Sequence, residues 1–130
     1  MRTLRLGAAG LGRGFTLMLP TLARDPRVKL VAAADPRPGA RERFAADFGG
    51  RAYESAEALC ADDDVEVIYV ATPHQHHAAH TRLAAARGRH LLVEKPMALT
   101  IDDCRAMINA ARAAGVQLVV GHSQIGRAHV

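Results

Sequence analysis

Short apolar runs alternate with segments of helical periodicity along most of the chain. Six runs have the length and composition of strands and lie at residues 3–8, 28–34, 51–53, 65–71, 90–93 and 116–120. Five segments with helical character follow them, at residues 12–24, 39–48, 55–60, 75–86 and 100–114. This alternation of strands and helices predicts an α/β fold with a parallel sheet in three layers. Because parallel crossovers are right-handed, the sheet is expected to be doubly wound with strand order 3-2-1-4-5-6.

Two of the helices carry specific expectations. Pro20 lies inside the first predicted helix and removes one hydrogen bond, so we expect a kink or a restart there. Thr100 is predicted to cap the last helix, with Asp103 three residues further on as in a capping box. The apolar side chains of that helix are expected to point inward: Ile101, Cys104, Met107, Ile108 and Ala111.

The composition is that of one globular domain. The chain has 130 residues, of which 49% are hydrophobic and 23% are charged. Its two cysteines, Cys60 and Cys104, have no metal-like spacing and are expected to be free thiols in a reducing compartment. Arg13 and four glycines interrupt the apolar N-terminal stretch, and no stretch reaches membrane-spanning length. We therefore expect a cytoplasmic protein without a membrane partner.

The basic residues carry little information about a partner. The net charge is +4, and arginine supplies 15 of the 17 basic residues. These arginines are scattered and aromatic residues make up 4% of the chain, whereas nucleic-acid binding needs a basic stripe or stacking aromatic side chains. We therefore expect no nucleic-acid partner, although a modest positive field would help to attract an anionic dinucleotide.

The most informative stretch is residues 4–14, where an apolar strand ends in a glycine cluster and a helical pattern follows. This is the strand–turn–helix opening of a dinucleotide-binding (Rossmann) unit, in which phosphates lie on the N-terminus of the helix. Gly10 and Gly12 would let the backbone approach the pyrophosphate. Phe15 occupies the third glycine position of the G-x-G-x-x-G pattern, so either its side chain points elsewhere or the helix stands further from the sheet. The alternative is a glycine-rich turn that binds no ligand.

Asp35 ends the second predicted strand, 25 residues after Gly10. An acidic residue at about this distance from the glycine turn binds the ribose 2′-hydroxyl of the dinucleotide. A carboxylate also repels a 2′-phosphate, so Asp35 favours NAD over NADP. Arg37 weakens this preference, because an arginine two residues further on can accommodate that phosphate.

Four groups of residues are predicted to meet at the carboxyl ends of the strands, near the point where the strand order reverses. They are residues 10–14, Asp35, Thr72-Pro73-His74 and Glu94-Lys95-Pro96. The segment at residues 72–77 resembles the T-P-N-x-x-H segment of the Gfo/Idh/MocA oxidoreductases, with His74 where asparagine is usual. Residues 91–100 resemble the E-K-P segment of the same family, and the whole resemblance covers residues 3–123.

The resemblance implies an NAD-dependent or NADP-dependent dehydrogenase that acts on a sugar, a cyclitol or a dihydrodiol-like hydroxyl substrate. It implies that Lys95 is catalytic, because an ammonium beside the reacting alcohol stabilises a developing alkoxide. Glu94 is expected to orient Lys95 or to bring the backbone near the nicotinamide. The predicted cofactor contacts are Gly10, Leu11, Gly12, Arg13, Gly14, Asp35, Arg37, Thr72, Pro73, His74, His77, Glu94, Lys95 and Pro96.

The resemblance also implies a C-terminal substrate domain, which is absent from these 130 residues. Residues 1–123 are therefore expected to form a dinucleotide-binding domain that binds cofactor and turns over little or no substrate alone. The full-length protein is expected to be a homo-oligomer. Two other classes remain open: a dinucleotide-binding sensor or scaffold without activity, and a Rossmann-type methyltransferase whose glycine turn binds a sulfonium ligand.

Histidines cluster after the fourth predicted strand. His76 and His80 have the spacing of zinc ligands on a helix, but no glutamate lies between them and no third ligand is evident outside the cluster. We therefore predict no metal site. His77 matches the family position and is expected to pack or hydrogen-bond near the cofactor, while the other histidines are expected to be solvated.

The C-terminal end continues neither a strand nor a helix. Gln124 to Val130 can be back-translated to a common sequencing adapter, so residues 124–130 are expected to be a non-native or unstructured tail. The alternative is an ordinary loop that leads into a further domain. His122, at the end of the sixth predicted strand, is not equivalent to the catalytic histidine of the family's second domain.

Overall fold

A computed structural model describes residues 3–95 and 97–121 of the chain. The strands are β1 (Leu4–Ala9), β2 (Val28–Ala34), β3 (Arg51–Tyr53), β4 (Val67–Val70), β5 (His90–Glu94) and β6 (Leu118–Gly121). The helices are α1 (Arg13–Arg24), α2 (Pro38–Phe48), α3 (Ala56–Cys60), α4 (His77–Ala86) and α5 (Ile101–Ala114), and a 3₁₀ turn (His74–His76) precedes α4. The predicted C-terminal tail, Pro96 and His122 lie outside the described residues.

The six strands form one parallel sheet in the order β3-β2-β1-β4-β5-β6. The predicted doubly wound topology is therefore confirmed. The order reverses between β1 and β4, which pair directly and end level with each other at Ala9 and Val70. Connections leave these two strand ends in opposite directions, and a crevice opens above them.

Helices cover both faces of the sheet, which makes the three layers. On one face, α1 and α2 contribute Phe15, Met18 and Phe44 to a core cluster. On the other face, α3, α4 and α5 contribute a second cluster that includes Leu59 and Met107. The central strands are apolar on both sides because both of their faces are buried.

Side-chain caps begin α3 and α5, and the predicted cap at Thr100 is confirmed. The side chain of Ser55 accepts a hydrogen bond from the backbone N–H of Ala58 at 3.1 Å, and Thr100 accepts one from Asp103 at 3.0 Å. Each hydroxyl satisfies one N–H group that has no partner inside its helix. Gly115 ends α5 in the left-handed region, with φ of 71°.

The expected restart at Pro20 is wrong, because α1 continues through it without a break. Pro20 has no N–H to offer the carbonyl of Thr16, four residues earlier. Both residues are exposed, so water can satisfy that carbonyl and the helix need not end. The tolerance depends on Pro20 lying on the solvent side of α1.

Fewer side chains of α5 point inward than the sequence predicts. Met107 and Ala111 are buried, but the side chain of Ile101 is 71% exposed and that of Ile108 is 42% exposed. Helix α5 covers the last part of the sheet and has α4 as its main helical neighbour. A helix at the edge of the layer buries a narrower stripe than the sequence pattern suggests.

Cys60 is buried and Cys104 is half-buried, and both are free thiols. Among the helices of the described ranges, none combines the length and the apolar character that crossing a membrane requires.

Candidate functional site

A cleft of about 550 Å³ opens at the carboxyl ends of the strands, where the order of the sheet reverses. It collects twelve of the fourteen predicted cofactor contacts: Gly10, Gly12, Arg13, Gly14, Asp35, Arg37, Thr72, Pro73, His74, His77, Glu94 and Lys95. Leu11 lies beside the cleft and is tied to it through its backbone N–H, which donates to Asp35. Residues from four strand ends therefore share one surface, although that they bind a cofactor stays a prediction.

Gly10 is required by the backbone of the turn itself. Its φ is +96°, a conformation that favours glycine. A Cβ added there would lie 2.9 Å from the backbone nitrogen of Thr72 and 3.0 Å from the carbonyl oxygen of Ala71. The turn after β1 can pass over the end of β4 only because this residue has no side chain.

Gly12 is different, because no contact with the described residues requires glycine there. Its φ is −90°, and a Cβ added to it would meet no atom of residues 3–95 and 97–121 within 4 Å. It precedes α1, whose N-terminus has neither a side-chain cap nor an acidic residue in its first turn. An uncapped helix N-terminus next to empty space that a Cβ would occupy fits a phosphate group.

Phe15 does not enter this space. Its side chain is 6% exposed and packs in the core under α1, where its ring meets that of Phe48 edge-on at 6.4 Å between centroids. Small side chains on the strands below, Ala8 and Ala33, belong to the same cluster. The first of the two predicted alternatives is therefore the one observed: the ring points away from the glycine turn.

Asp35 is buried and fully engaged with the turn. Its carboxylate accepts hydrogen bonds from the backbone N–H groups of Leu11 at 3.0 Å and Arg37 at 2.9 Å. The guanidinium of Arg37 donates two more, from Nε at 2.9 Å and from a terminal nitrogen at 3.0 Å. These bonds, led by those of the Arg37 guanidinium, lower the pKa of Asp35 to about 2.

The ion pair between Asp35 and Arg37 defines the charge at this end of the cleft. The Asp35 side chain is 5% exposed, whereas that of Arg37 is 62% exposed. A ribose diol would therefore meet a carboxylate that already has partners, and an arginine that can reorient at low cost. The Arg41 guanidinium stabilises the same turn by donating hydrogen bonds to the carbonyl oxygens of Asp35 and Pro36, both at 3.0 Å.

His77 joins the loops that follow β4 and β5. Its side chain is 2% exposed. Its Nε2 lies 2.8 Å from the carbonyl oxygen of Thr72, and its Nδ1 lies 3.2 Å from that of Met97. Since a carbonyl oxygen only accepts, the ring nitrogens are the donors in these contacts. His77 thus packs and hydrogen-bonds at the cleft, and that it lies near a bound cofactor stays a prediction.

The prediction that the remaining histidines are solvated is wrong for His80. Its Nδ1 lies 2.8 Å from the hydroxyl of Thr72, its ring stacks on that of His76 with 5.6 Å between centroids, and burial lowers its pKa. In residues 3–95 and 97–121, no three His, Cys, Asp or Glu side chains are grouped so that they could hold a metal ion.

The end of β5 brings Glu94 and Lys95 to the side of the cleft away from Asp35. Glu94 is half-buried, and the exposed Lys95 follows it at the rim. The hydroxyl of Tyr69 on β4 hydrogen-bonds to the Glu94 carboxylate and donates to the carbonyl oxygen of Gly14 at 3.1 Å. Burial, with Glu94 beside it, raises the pKa of Tyr69 well above its usual range, so the hydroxyl stays protonated.

Sequence reasoning missed several residues of the site. Leu17, Pro36 and Ala71 also line the cleft. Leu17 lies one helical turn after Arg13, and Pro36 and Ala71 each follow a strand, so the predicted topology could have identified all three. No signal in the sequence pointed to Tyr69. It lies in a continuous apolar strand and therefore looks like one more buried core residue.

The fold and the cleft together define a class: a parallel α/β domain of the Rossmann type, with a glycine turn between its first strand and first helix. Residues 4–122 match the family model described as "Oxidoreductase family, NAD-binding Rossmann fold", of Gfo/Idh/MocA type. The chain therefore belongs to the Gfo/Idh/MocA oxidoreductase family and is its NAD-binding domain. The predicted family is confirmed.

Three similar proteins illustrate the range of the family. The chain is 51% identical over 121 residues to a 1-carboxy-3-chloro-3,4-dihydroxycyclohexa-1,5-diene dehydrogenase of Comamonas testosteroni, covering 92% of this chain and 30% of that protein. It is 40% identical over 115 residues to a trans-1,2-dihydrobenzene-1,2-diol dehydrogenase of Oryctolagus cuniculus, covering 86% of this chain and 34% of that protein.

The third is a crystal structure of the WlbA dehydrogenase of Bordetella pertussis in complex with NADH and UDP-GlcNAcA. It superimposes with a TM-score of 0.87 at 32% identity, covering 92% of this chain and 35% of that one. The chain thus spans about a third of the length of these relatives.

Proposed function

We propose that the cleft binds NAD in an extended conformation across the carboxyl ends of β2, β1, β4 and β5. The adenosine ribose lies at Asp35, the pyrophosphate at Gly12 and the N-terminus of α1, and the nicotinamide near Lys95. The observation that carries this proposal is the empty space at Gly12 beside an uncapped helix N-terminus. Asp35 and Lys95 line the same cleft at the ends of β2 and β5, with β1 and β4 between them.

The reaction supported best is hydride transfer between the nicotinamide and a carbon that bears a hydroxyl group. The bound cofactor supplies the hydride acceptor or donor. Lys95 is exposed at the rim, where its ammonium can reach a substrate outside the cleft. There it stabilises negative charge on the substrate oxygen as the carbon–hydrogen bond breaks.

Among the substrate classes left open by the sequence, a cyclic dihydrodiol has the most support. The relative that is 51% identical over 121 residues is named as the dehydrogenase of a dihydroxycyclohexadiene, and the 40% identical one as a dihydrodiol dehydrogenase. Sugars and cyclitols remain the other members of the class. We place the substrate on a second domain of a longer polypeptide, with residues 1–123 as the cofactor domain, and expect the present chain alone to turn over little or no substrate.

The proposal is tested by calorimetric titration of the chain with NAD⁺ and NADP⁺, beside an Asp35→Ala variant. NAD⁺ is expected to bind more tightly than NADP⁺, and the variant is expected to lose that preference because its carboxylate no longer receives the ribose. Asp63→Ala is the matched control, since the Asp63 side chain is 100% exposed in the loop before β4, at the other edge of the sheet.

Each outcome of the titration is decisive. Binding of neither nucleotide to the folded chain would refute the cofactor site. NAD⁺ binding without turnover of any diol or sugar in the full-length protein would favour a sensor or scaffold.

A further inference from the structure

Tyr69 joins three elements of the cleft at a single buried atom. Its side chain is 1% exposed and lies under α1 in the centre of the sheet. Its hydroxyl contacts the carbonyl of Gly14, in the first turn of α1, and the carboxylate of Glu94, at the end of β5. A phenolic hydroxyl has one proton, so these two acceptors share a single donor.

This arrangement holds Glu94 close to the phosphate turn. A Cβ added to Gly14 would lie 3.5 Å from Cγ of Glu94, so the glutamate side chain runs directly past the start of α1. Both residues line the cleft. The carboxylate is therefore fixed on the side of the turn away from Asp35, where the proposed function places the nicotinamide.

A fixed negative charge at this place distinguishes the two redox states of the cofactor. The nicotinamide ring is cationic in NAD⁺ and neutral in NADH, whereas the rest of the molecule is the same. Lys95 carries the opposite charge nearby, but its side chain is exposed and water screens it more than the half-buried Glu94. The carboxylate then favours the oxidised form.

We propose that Tyr69 is a positioning residue, whose hydroxyl fixes the Glu94 carboxylate where it favours binding of oxidised over reduced cofactor. This inference rests on the proposed function, because it assumes that the nicotinamide lies at the β5 end of the cleft. Tyr69 itself touches no cofactor and acts through Glu94.

The test is the ratio of the dissociation constants for NADH and NAD⁺, measured by calorimetry on the chain and on four variants. Glu94→Gln removes the charge and keeps the shape, and it is expected to lower the ratio about three- to tenfold. Tyr69→Phe is expected to lower the ratio in the same direction, because the carboxylate loses the hydrogen bond that positions it. Tyr69→Phe in the Glu94→Gln background is expected to change the ratio no further, since no charge remains to be positioned.

Tyr53→Phe is the matched control. The Tyr53 hydroxyl also donates to a carboxylate, that of Asp62 at 2.7 Å, but neither residue lines the cleft. Its removal should leave the ratio unchanged, which separates the loss of a hydroxyl in general from the loss of this one.

Two results would overturn the inference while leaving the proposed function intact. One is an unchanged ratio in Glu94→Gln when both nucleotides still bind, an outcome that does not depend on whether Tyr69→Phe folds. The other is an effect of Tyr69→Phe that persists in full without the Glu94 charge. Failure of the wild-type chain to bind either nucleotide would instead refute the proposed function and this inference together.

Discussion

Replacing Gly12 with alanine separates the stability of the fold from its capacity to bind a phosphate. The added methyl group would meet no atom of the described residues within 4 Å, and φ at this position is −90°. The free energy of unfolding should therefore change by less than about 1 kcal/mol in either direction, because alanine also reduces the entropy of the unfolded chain.

Cofactor binding should respond very differently. The methyl group would occupy the space in which the proposed pyrophosphate meets the N-terminus of α1. Losing one hydrogen bond between a backbone N–H and a charged phosphate oxygen costs about 2 kcal/mol, which corresponds to about 30-fold in the dissociation constant. Isothermal titration calorimetry with NADH measures the change in the dissociation constant. Urea denaturation measures the change in the free energy of unfolding.

Gly39→Ala is the matched control for this substitution. Gly39 has open space around the added Cβ, lies in the first turn of α2 and does not line the cofactor cleft. Alanine there should leave NADH affinity unchanged and stabilise the helix slightly. Wild-type affinity for NADH in Gly12→Ala would refute the placement of the pyrophosphate at this turn.

Four further predictions concern stability and reactivity. Gly10→Ala, whose Cβ would lie 2.9 Å from a backbone nitrogen at a φ of +96°, should lower the free energy of unfolding by about 2 kcal/mol or more in urea denaturation. The low pKa of Asp35, about 2 against 3.8 normally, stabilises the fold above pH 4, so the stability difference between wild type and Asp35→Asn should fall by about 1–2 kcal/mol between pH 4 and pH 2. Thr100→Ala removes the cap of α5 and should cost about 1 kcal/mol in thermal unfolding, with Thr16→Ala at an exposed position of α1 as a near-neutral comparison. Burial raises the pKa of the Cys60 thiol to about 11, so a thiol reagent at pH 8 should modify Cys104 first, and equal rates in the folded protein would contradict this burial.

Local sequence determined most of the fold. Every strand except the short β3 could be identified from its own apolar run, and the caps at Ser55 and Thr100 followed from their own side chains. These signals depend on a few neighbouring residues, so no knowledge of the tertiary structure was needed. The strand order followed as well, because the handedness of parallel crossovers leaves few alternatives.

The composition of the cleft was also legible in the sequence. In a doubly wound sheet the residues after β1, β2, β4 and β5 meet at one edge, so Asp35 and Lys95 could be assigned to one surface from topology alone. Topology does not say how side chains that meet there are paired. The ion pair of Asp35 with Arg37 and the link from Tyr69 to Glu94 depend on distances that only the folded chain sets.

The sequence by itself determined the elements, their order and the edge of the sheet at which the site lies, since these follow from periodicity, caps and chirality. Only the tertiary structure decided which side chains the neighbours cover. Phe15 could pack inward because Ala8 and Ala33 leave room beneath it, and Ile101 is exposed because no element lies against that side of α5 within the described residues. Whether a side chain is buried depends on the elements packed around it, whereas its helix or strand propensity belongs to the residue itself. For this reason burial could be learned only from the tertiary structure.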